Sequence, residues 1–566
     1  MAGDIRAGVT TPGDRQPGGP WDELGDFTTT KRTILIAVIA IAIGIIAGHV
    51  ALLLLKLIAG FTNLFFFQTW STHETHPADH QLGPLVLVVP VIGGLIIGLL
   101  ARFGSEKIRG HGIPEALESI MLRGSRVEAK VALLKPVSAA ISIGSGGPFG
   151  AEGPIIMTGG AFGSLVAQAF RLTAAERKTL LVAGAAGGMA ATFGTPIAAT
   201  LLAVELLLFE WKPRSFVPVA LAAASAMATR HFLFSPDPLF TVGAHATNFG
   251  VTTLLAATVC GLGAGLLALA MTASVYTFED LFQRLPIHWM WWPAIGGLAI
   301  GIGGMIEPRA LGVGYESIGA LLQDQLALRA IITLVIVKWS IWAISLGSGT
   351  SGGVLAPLLM IGGALGALEG HVLPFEGHGF WALVSMGAIL GGTMRSPLTG
   401  ILFAAEVTQD FGALLPISIA VVVAHGFTVL FLKRSILTEK LVRRGYHISR
   451  EYAIDPLEVL FVRDVITLDM EPRPLPPHSN PVPEELRAHL DDTLRVITYR
   501  MALANVTILP VVDVDNNFLG EIALADVLKA QLRHLEQERR RERIIPVGRF
   551  LPIPKALIPP FLREHL

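Results

Sequence analysis

GSGGPFGAEGPIIMTGGAFGSL, residues 144–165, and GSGTSGGVLAPLLMIGGALGAL, residues 347–368, align without a gap, and eleven of the 22 positions are identical. Two further pairs follow the same spacing. TPIAATLLAVE ending at Glu205 matches SPLTGILFAAE ending at Glu406, and GHGIPE from Gly110 faces GVGYES from Gly312. Chance similarity between apolar helices would scatter Gly and Ala matches, whereas three ordered blocks at nearly one offset mark an internal repeat. The halves run from about 34 to 230 and from about 251 to 432. Gly and Pro break the apolar segments around 144–154, 194–196, 347–357 and 395–397. Broken helices are costly in lipid and are tolerated where backbone lines a cavity enclosed by protein, so these breaks mark the candidate site.

The rest of the chain agrees with a membrane setting. Hydrophobic residues make up 52% and charged residues 15%, with 61 glycines among 566 residues, a balance too apolar for an ordinary soluble enzyme. The stretches 34–61 and 84–103 are long enough to span a bilayer, and the expected class is an all-α polytopic membrane protein. A net charge of -1 gives no basic excess for nucleic acid. Cys260 is the sole cysteine, which excludes an intramolecular disulfide. No P-loop, catalytic triad or metal-ligand string is evident, so no enzyme and no metal are expected. His73, His76 and His80, with Glu74 and Asp79, read as a solvated external loop. Trp289, Trp291 and Trp292 read as an interfacial belt. Residues 1–31 read as a disordered cytoplasmic tail. Lys31 and Arg32 before the first apolar run, with Lys433, Arg434, Arg443 and Arg444 after the last, place both termini in the cytoplasm of a multi-pass cell-membrane protein.

A membrane site for an anion needs donors that replace its hydration yet release it again. Helix N-termini meet that need, because their first amides are unpaired and the summed peptide dipole leaves about half a positive charge there. Glycine lets backbone approach an ion, and proline in the first turn forfeits no hydrogen bond. Three segments fit: GHGIPE at 110–115, GAEGP at 150–154 and GGVLAP at 352–357. Glu152 is the ionisable group amid the Gly-rich apolar surround of these blocks. An intramembrane carboxylate is functional by default, the alternative being a capping acid for its own helix.

In order and repeat relation the three blocks resemble the GxGIPE, GxEGP and GxFxP signatures of the CLC chloride channels and transporters, over about residues 33–445. The resemblance implies a CLC-type inverted repeat with interrupted and re-entrant helices, assembled as a homodimer with one pore per subunit, with chloride as substrate and protons as a second transported species. It implies Glu152 as the gating glutamate, its carboxylate competing with chloride for the same amides. Anion contacts are then expected at His111, Gly112 and Ile113, at Ala151 and Gly153, and at Val354 and Leu355. His111 stands where many relatives carry a serine that touches the ion, and Leu437 stands where others carry a tyrosine. Proton-coupled members with two adjacent acids place the second where this chain has Leu206. The candidate proton path is Glu152 with Glu205, while a salt-paired structural acid at a helix end is the alternative for Glu205 and Glu210. Channel and exchanger both stay open, as do a repeat-built carrier of another substrate and a membrane sensor that has lost transport.

After a linker at 446–461, residues 462–531 alternate strands and helices and resemble one cystathionine-beta-synthase-type (CBS) motif, a small α+β cytoplasmic domain. In that motif a hydroxyl and an aspartate hold an adenosine ribose. Here Ala523 replaces the hydroxyl while Asp526 remains, so no nucleotide cofactor is expected. Residues 532–566 form a basic tail whose run LEQERRRER reads as a solvated helix face.

Overall fold

The computed structural model describes residues 29, 31–122, 124–235, 237–246, 248–373, 376–445, 457, 460–466, 473–474, 486–513 and 517–539. The expected N-terminal tail, most of the linker and the tail beyond 539 lie outside these residues. The chain divides into two units, 1–450 and 451–566.

The first unit is helical throughout. Its first half contains α1 (Arg32–Phe67), α2 (Val88–Leu99), α3 (Ile113–Leu122), α4 (Ala129–Gly144), α5 (Glu152–Gln168), α6 (Ala174–Phe193), α7 (Pro196–Leu202) and α8 (Pro213–Leu233). The second half repeats the series with α9 (Val251–Gln283), α10 (Trp292–Ile306), α11 (Tyr315–Leu322), α12 (Leu328–Gly347), α13 (Leu355–Gly370), α14 (His378–Met394), α15 (Pro397–Thr408) and α16 (Leu414–Phe431), and α17 (Ile436–Arg443) closes the unit. Seven helices among the described residues are long and apolar enough to cross a membrane, with shorter apolar ones beside them. At 36 residues α1 is about 54 Å long, well beyond a hydrocarbon core of about 30 Å, so it crosses tilted or projects into the interface.

Local sequence explains the helix ends. Thr173 and Glu176 close a capping box at the start of α6, the Thr173 hydroxyl accepting from Glu176 N at 3.2 Å and the Glu176 carboxylate from Thr173 N at 2.8 Å. Pro196 and Pro397 occupy the first position of α7 and α15, where a missing N–H forfeits nothing.

Packing follows the repeat. In the first half α5 lies on α6 and α1 on α8, and in the second α13 lies on α14 and α9 on α16. Among the pairs that join the halves are α2 with α10 and α7 with α15. Both joints are reciprocal. A Cβ added at Gly94 would lie 2.3 Å from Pro293 O, and one at Gly297 would lie 2.3 Å from Pro90 O, so each half needs a bare backbone where the other half's carbonyl arrives. Glu205, in the π-helical turn Ala203–Leu208 that continues α7, accepts from Leu398 N (3.1 Å) and Thr399 N (2.9 Å) at the start of α15. Glu406, near the end of α15, accepts from Ile197 N (3.0 Å) and Ala198 N (2.7 Å) at the start of α7. Each helix end reaching the other's beginning makes α7 and α15 antiparallel, the exchange produced by a two-fold axis that inverts one half relative to the other.

The second unit carries a four-stranded sheet in the order β1-β4-β3-β2, with β1 Arg473–Pro474, β2 Ala488–His489, β3 Ile508–Val512 and β4 Asn517–Ala523. β2 runs parallel to β3 and the other pairings are antiparallel. α18 (Leu494–Ala504) and α19 (Leu524–Arg539) cover it, burying Ile497, Met501, Leu509, Val511, Ile522 and Val527. Residues 475–485 of this unit lie outside the described residues. Asp526 accepts from Ala523 N at 3.2 Å and lies 3.5 Å from Lys529 Nζ, so its carboxylate is engaged locally at the start of α19.

Candidate functional site

The three glycine-rich segments meet. Gly150 N donates to Gly353 O (3.2 Å), Gly353 N to Gly150 O (2.9 Å) and Gly352 N to Gly110 O (3.4 Å), which ties together the approaches to α3, α5 and α13. Each then opens its helix as expected, at Ile113, Glu152 and Leu355. The approach is backbone to backbone: a Cβ at Gly153 would lie 1.9 Å from His111 O and 3.1 Å from Gly353 Cα, closer than any side chain permits. Gly112, at φ +90, turns the chain into α3 with its Cα facing Gly153 O.

Glu152 stands at this junction with no solvent exposure. Its Oε1 accepts from Ala356 N across the junction at 2.9 Å, while Oε2 has no hydrogen-bond partner. The carboxylate folds back over Gly150, where an added Cβ would overlap Oε2 at 1.8 Å, and against Gly353, where one would meet Oε1 at 2.7 Å. Two bare glycines thus make room for an anionic group, and the first turn of α13 supplies the donor. Ala151 and Gly153 flank it in sequence, and Val354 and Leu355 precede the donating amide; all four are buried. Ala356 was not among the expected contacts, because a backbone amide leaves no mark in residue type.

His111, Gly112 and Ile113 lie on the other side of Gly153, at the start of α3. His111 is 4% exposed, its Nδ1 lacks a partner, and it borders a cavity of about 800 Å³ also lined by Arg109, Glu115, Tyr276, Lys440 and Arg444. Glu115 fixes this helix start: its Oε2 accepts from Gly112 N at 2.9 Å and its Oε1 from Lys440 Nζ at 2.9 Å. Leu437 is fully buried in the first turn of α17, and the Tyr276 hydroxyl donates to the neighbouring Ile436 O at 2.5 Å.

Two lysines that sequence reasoning passed over frame the junction. Lys135, wholly buried in α4, donates to Ile108 O (2.9 Å), Gly110 O (2.7 Å) and Ser351 Oγ (3.2 Å). Lys338, wholly buried in α12, donates to Ala310 O (3.0 Å) and Gly312 O (2.8 Å). They stand 203 positions apart and hold repeat-equivalent carbonyls. A lysine in the middle of each of two matched apolar helices was the available signal.

Other candidates fall elsewhere. Glu205 is committed to the start of α15, where Thr399 Oγ1 also donates to it at 2.6 Å, a structural role that the expected proton path did not include. Glu210 lies 4.0 Å from Lys178 and 3.9 Å from Arg214, the salt-paired alternative. The tryptophan belt needs correction. The Arg109 guanidinium lies 4.4 Å from the Trp289 ring centre and 5.9 Å from that of Trp292, so two of the three rings hold a cation at the cavity's rim. The external loop is also less solvated than expected, since His76 is half-buried and accepts from Ala78 N through Nδ1 at 3.0 Å.

Residues 93–429 match the family model described as "Voltage gated chloride channel". The chain is 30% identical over 409 residues to the H(+)/Cl(-) exchange transporter ClcA of Salmonella arizonae, covering 69% of this chain and 84% of the relative, and shows the same identity and coverage with that of Salmonella paratyphi B. Among solved structures it is similar to a slow cyanobacterial Cl-/H+ antiporter (TM-score 0.66, 22% identity, 74% of this chain and 99% of that one). It is also similar to a CLC-type fluoride/proton antiporter (TM-score 0.63, 22% identity, 72% and 98%).

Proposed function

The chain belongs to the voltage-gated chloride channel (CLC) family, and from that premise we propose that it carries chloride across the membrane through the junction of α3, α5 and α13, with Glu152 as its gate. It is a multi-pass membrane transporter and not an enzyme. The observation that carries the site assignment is the Glu152 carboxylate on the Ala356 amide: an anionic group already occupies a place built from helix-start donors. A chloride ion, which needs the same donors, enters when that carboxylate leaves. Protonation promotes departure, because a neutral carboxyl is attracted less by the amides and by the positive end of the α13 dipole. Flux therefore rises as pH falls.

The ClcA relatives are named as exchangers, which favours proton-coupled exchange over a channel. Leu206 cannot relay a proton and Glu205 caps α15, so an inner proton route in this chain would differ from that of members with two adjacent acids. Both termini face the cytoplasm in this reading, two copies associate with a pore in each, and the CBS-like unit modulates transport without a nucleotide.

The test is reconstitution in liposomes. A chloride gradient drives measurable proton movement in an exchanger and none in a channel. Glu152→Ala abolishes both the coupling and the pH response of chloride flux. Retention of a wild-type pH response by that variant removes Glu152 from the gate.

A further inference from the structure

A carboxyl that gives up the α13 amide needs a new partner, because a polar group moved within a buried enclosure is costly when nothing receives it. Glu152 already holds one oxygen in reserve: Oε1 sits on Ala356 N at 2.9 Å, while Oε2 is buried without a partner. The repeat supplies a match. GHGIPE and GVGYES are equivalent, so Tyr315 opens α11 where Ile113 opens α3. The half that contributes the carboxylate carries an aliphatic side chain at this place, and the half that lacks the carboxylate carries a phenol.

Elements of the junction surround Tyr315. Gly312 N donates to Gly146 O at 3.0 Å, which ties the approach to α11 to the loop that leads into Glu152. Gly314, at φ +84, is backed by the Met360 methyl, which lies 1.9 Å from where a Cβ would stand. Met360 is one turn beyond Ala356 on the same face of α13, about 6 Å along its axis. In α6, a Cβ at Gly188 would lie 3.1 Å from Ile155 O in the first turn of α5, and Phe193 of the same helix meets the Tyr315 ring edge to face with centres 6.3 Å apart. Phe240 meets that ring at 5.9 Å.

These contacts fix the ring but leave its polar end unmatched. Part of Tyr315 reaches the surface, yet its hydroxyl oxygen is buried and has no hydrogen-bond partner. Among the charged groups that act on Tyr315, Glu152 stands first, ahead of Glu74 in the loop before α2 and Arg230 of α8, and Lys338 acts on Glu152 from α12. A donor and an acceptor, each buried and each without a partner, thus lie within electrostatic reach of one another, one from each half.

We propose that Tyr315 is a positioning residue of the gate, its hydroxyl receiving the Glu152 carboxyl when that group yields the Ala356 amide to chloride. The phenol donates to a carboxyl oxygen, the carboxyl keeps its own proton, and the bond holds the gate in its open position. An aliphatic side chain, as at Ile113, offers no such bond. This inference rests on the reading of Glu152 as the gate.

Chloride flux measured against pH in liposomes, for the parent chain, Tyr315→Phe, Glu152→Ala and the double variant, tests it. Tyr315→Phe keeps the ring and its packing and removes one hydrogen bond from the open state, so flux at a given pH should fall about fivefold and half-maximal flux should move about 0.7 pH unit toward acid. In the Glu152→Ala background the same substitution should add no loss, because no carboxyl is left to receive. In crystals of Glu152→Gln the carboxamide, which mimics the neutral carboxyl, should lie within hydrogen-bond distance of the Tyr315 hydroxyl. A loss of equal size in both backgrounds marks a structural role and overturns the inference, as does a Tyr315→Phe profile identical to the parent's. A carboxamide directed anywhere else overturns it as well. Those three results leave the gate standing, whereas an unchanged pH response in Glu152→Ala removes the gate and this inference with it.

Discussion

The two halves of the membrane unit share their helices, their order and even their buried lysines, yet only the first brings a carboxylate to the junction. Glu152 opens α5, and its repeat equivalent at the start of α13 is Leu355. The second half answers with a donor instead, the amide of Ala356, where the first half has Gly153. A symmetric pair of carboxylates would repel each other and hold a proton permanently. A symmetric pair of bare helix starts would hold an anion with nothing to displace it. The matched halves supply the converging helix ends, and the departure from symmetry puts on them a carboxylate, the group that the proposed function sets in competition with the ion.

The lysines give the largest contrast. Lys135→Met removes three buried hydrogen bonds, one of them to the other half, and should cost about 3 kcal/mol, whereas Lys338→Met removes two and should cost about 2 kcal/mol. Thermal unfolding of the purified variants in detergent ranks them. A larger loss for Lys338→Met would mean that acceptor matching does not set the balance between the halves.

The junction glycines give the next. Gly153→Ala drives a methyl to within 1.9 Å of His111 O, a backbone atom that cannot yield without moving α3, and should cost about 2 kcal/mol together with most of the flux. Ala356→Gly adds only backbone freedom in a first helical turn and should cost less than about 1 kcal/mol with flux retained. Equal losses would place the close approach elsewhere than between α3 and α5.

Much of this architecture is legible from residue type because bare backbone is needed where helices meet, and only glycine provides it. The identities in 144–165 and 347–368 are mostly Gly, Ala and Pro for that reason, and they disclosed the repeat and two of the three helix starts, GHGIPE at 110–115 disclosing the third. What failed to show was whatever the backbone itself contributes. The Ala356 amide leaves no signature, and the reciprocal capping by Glu205 and Glu406 depends on antiparallel packing of α7 and α15 that spacing alone does not reveal. Lys135 and Lys338 were visible as isolated charges in apolar helices, but their partners are carbonyls some 25 residues away that carry no sequence mark. Arg109 was hidden in the same way, since nothing in the tryptophan cluster names the cation that reaches it.

The smallest effects come from that reciprocal capping, and they separate a structural acid from a gating one. Glu205 satisfies three donors, Leu398 N, Thr399 N and Thr399 Oγ1, and Glu406 satisfies two, Ile197 N and Ala198 N. Loss of a helix-capping group costs about 0.5–2 kcal/mol, so Glu205→Ala should lie near the top of that range and Glu406→Ala nearer its middle. Both should leave the pH response of chloride flux as in the parent protein, because neither carboxylate competes with the ion. If Glu205→Ala instead removed proton coupling while its unfolding midpoint stayed unchanged, Glu205 would belong to the proton path after all, and the asymmetry between the halves would extend from the junction to the ends of α7 and α15.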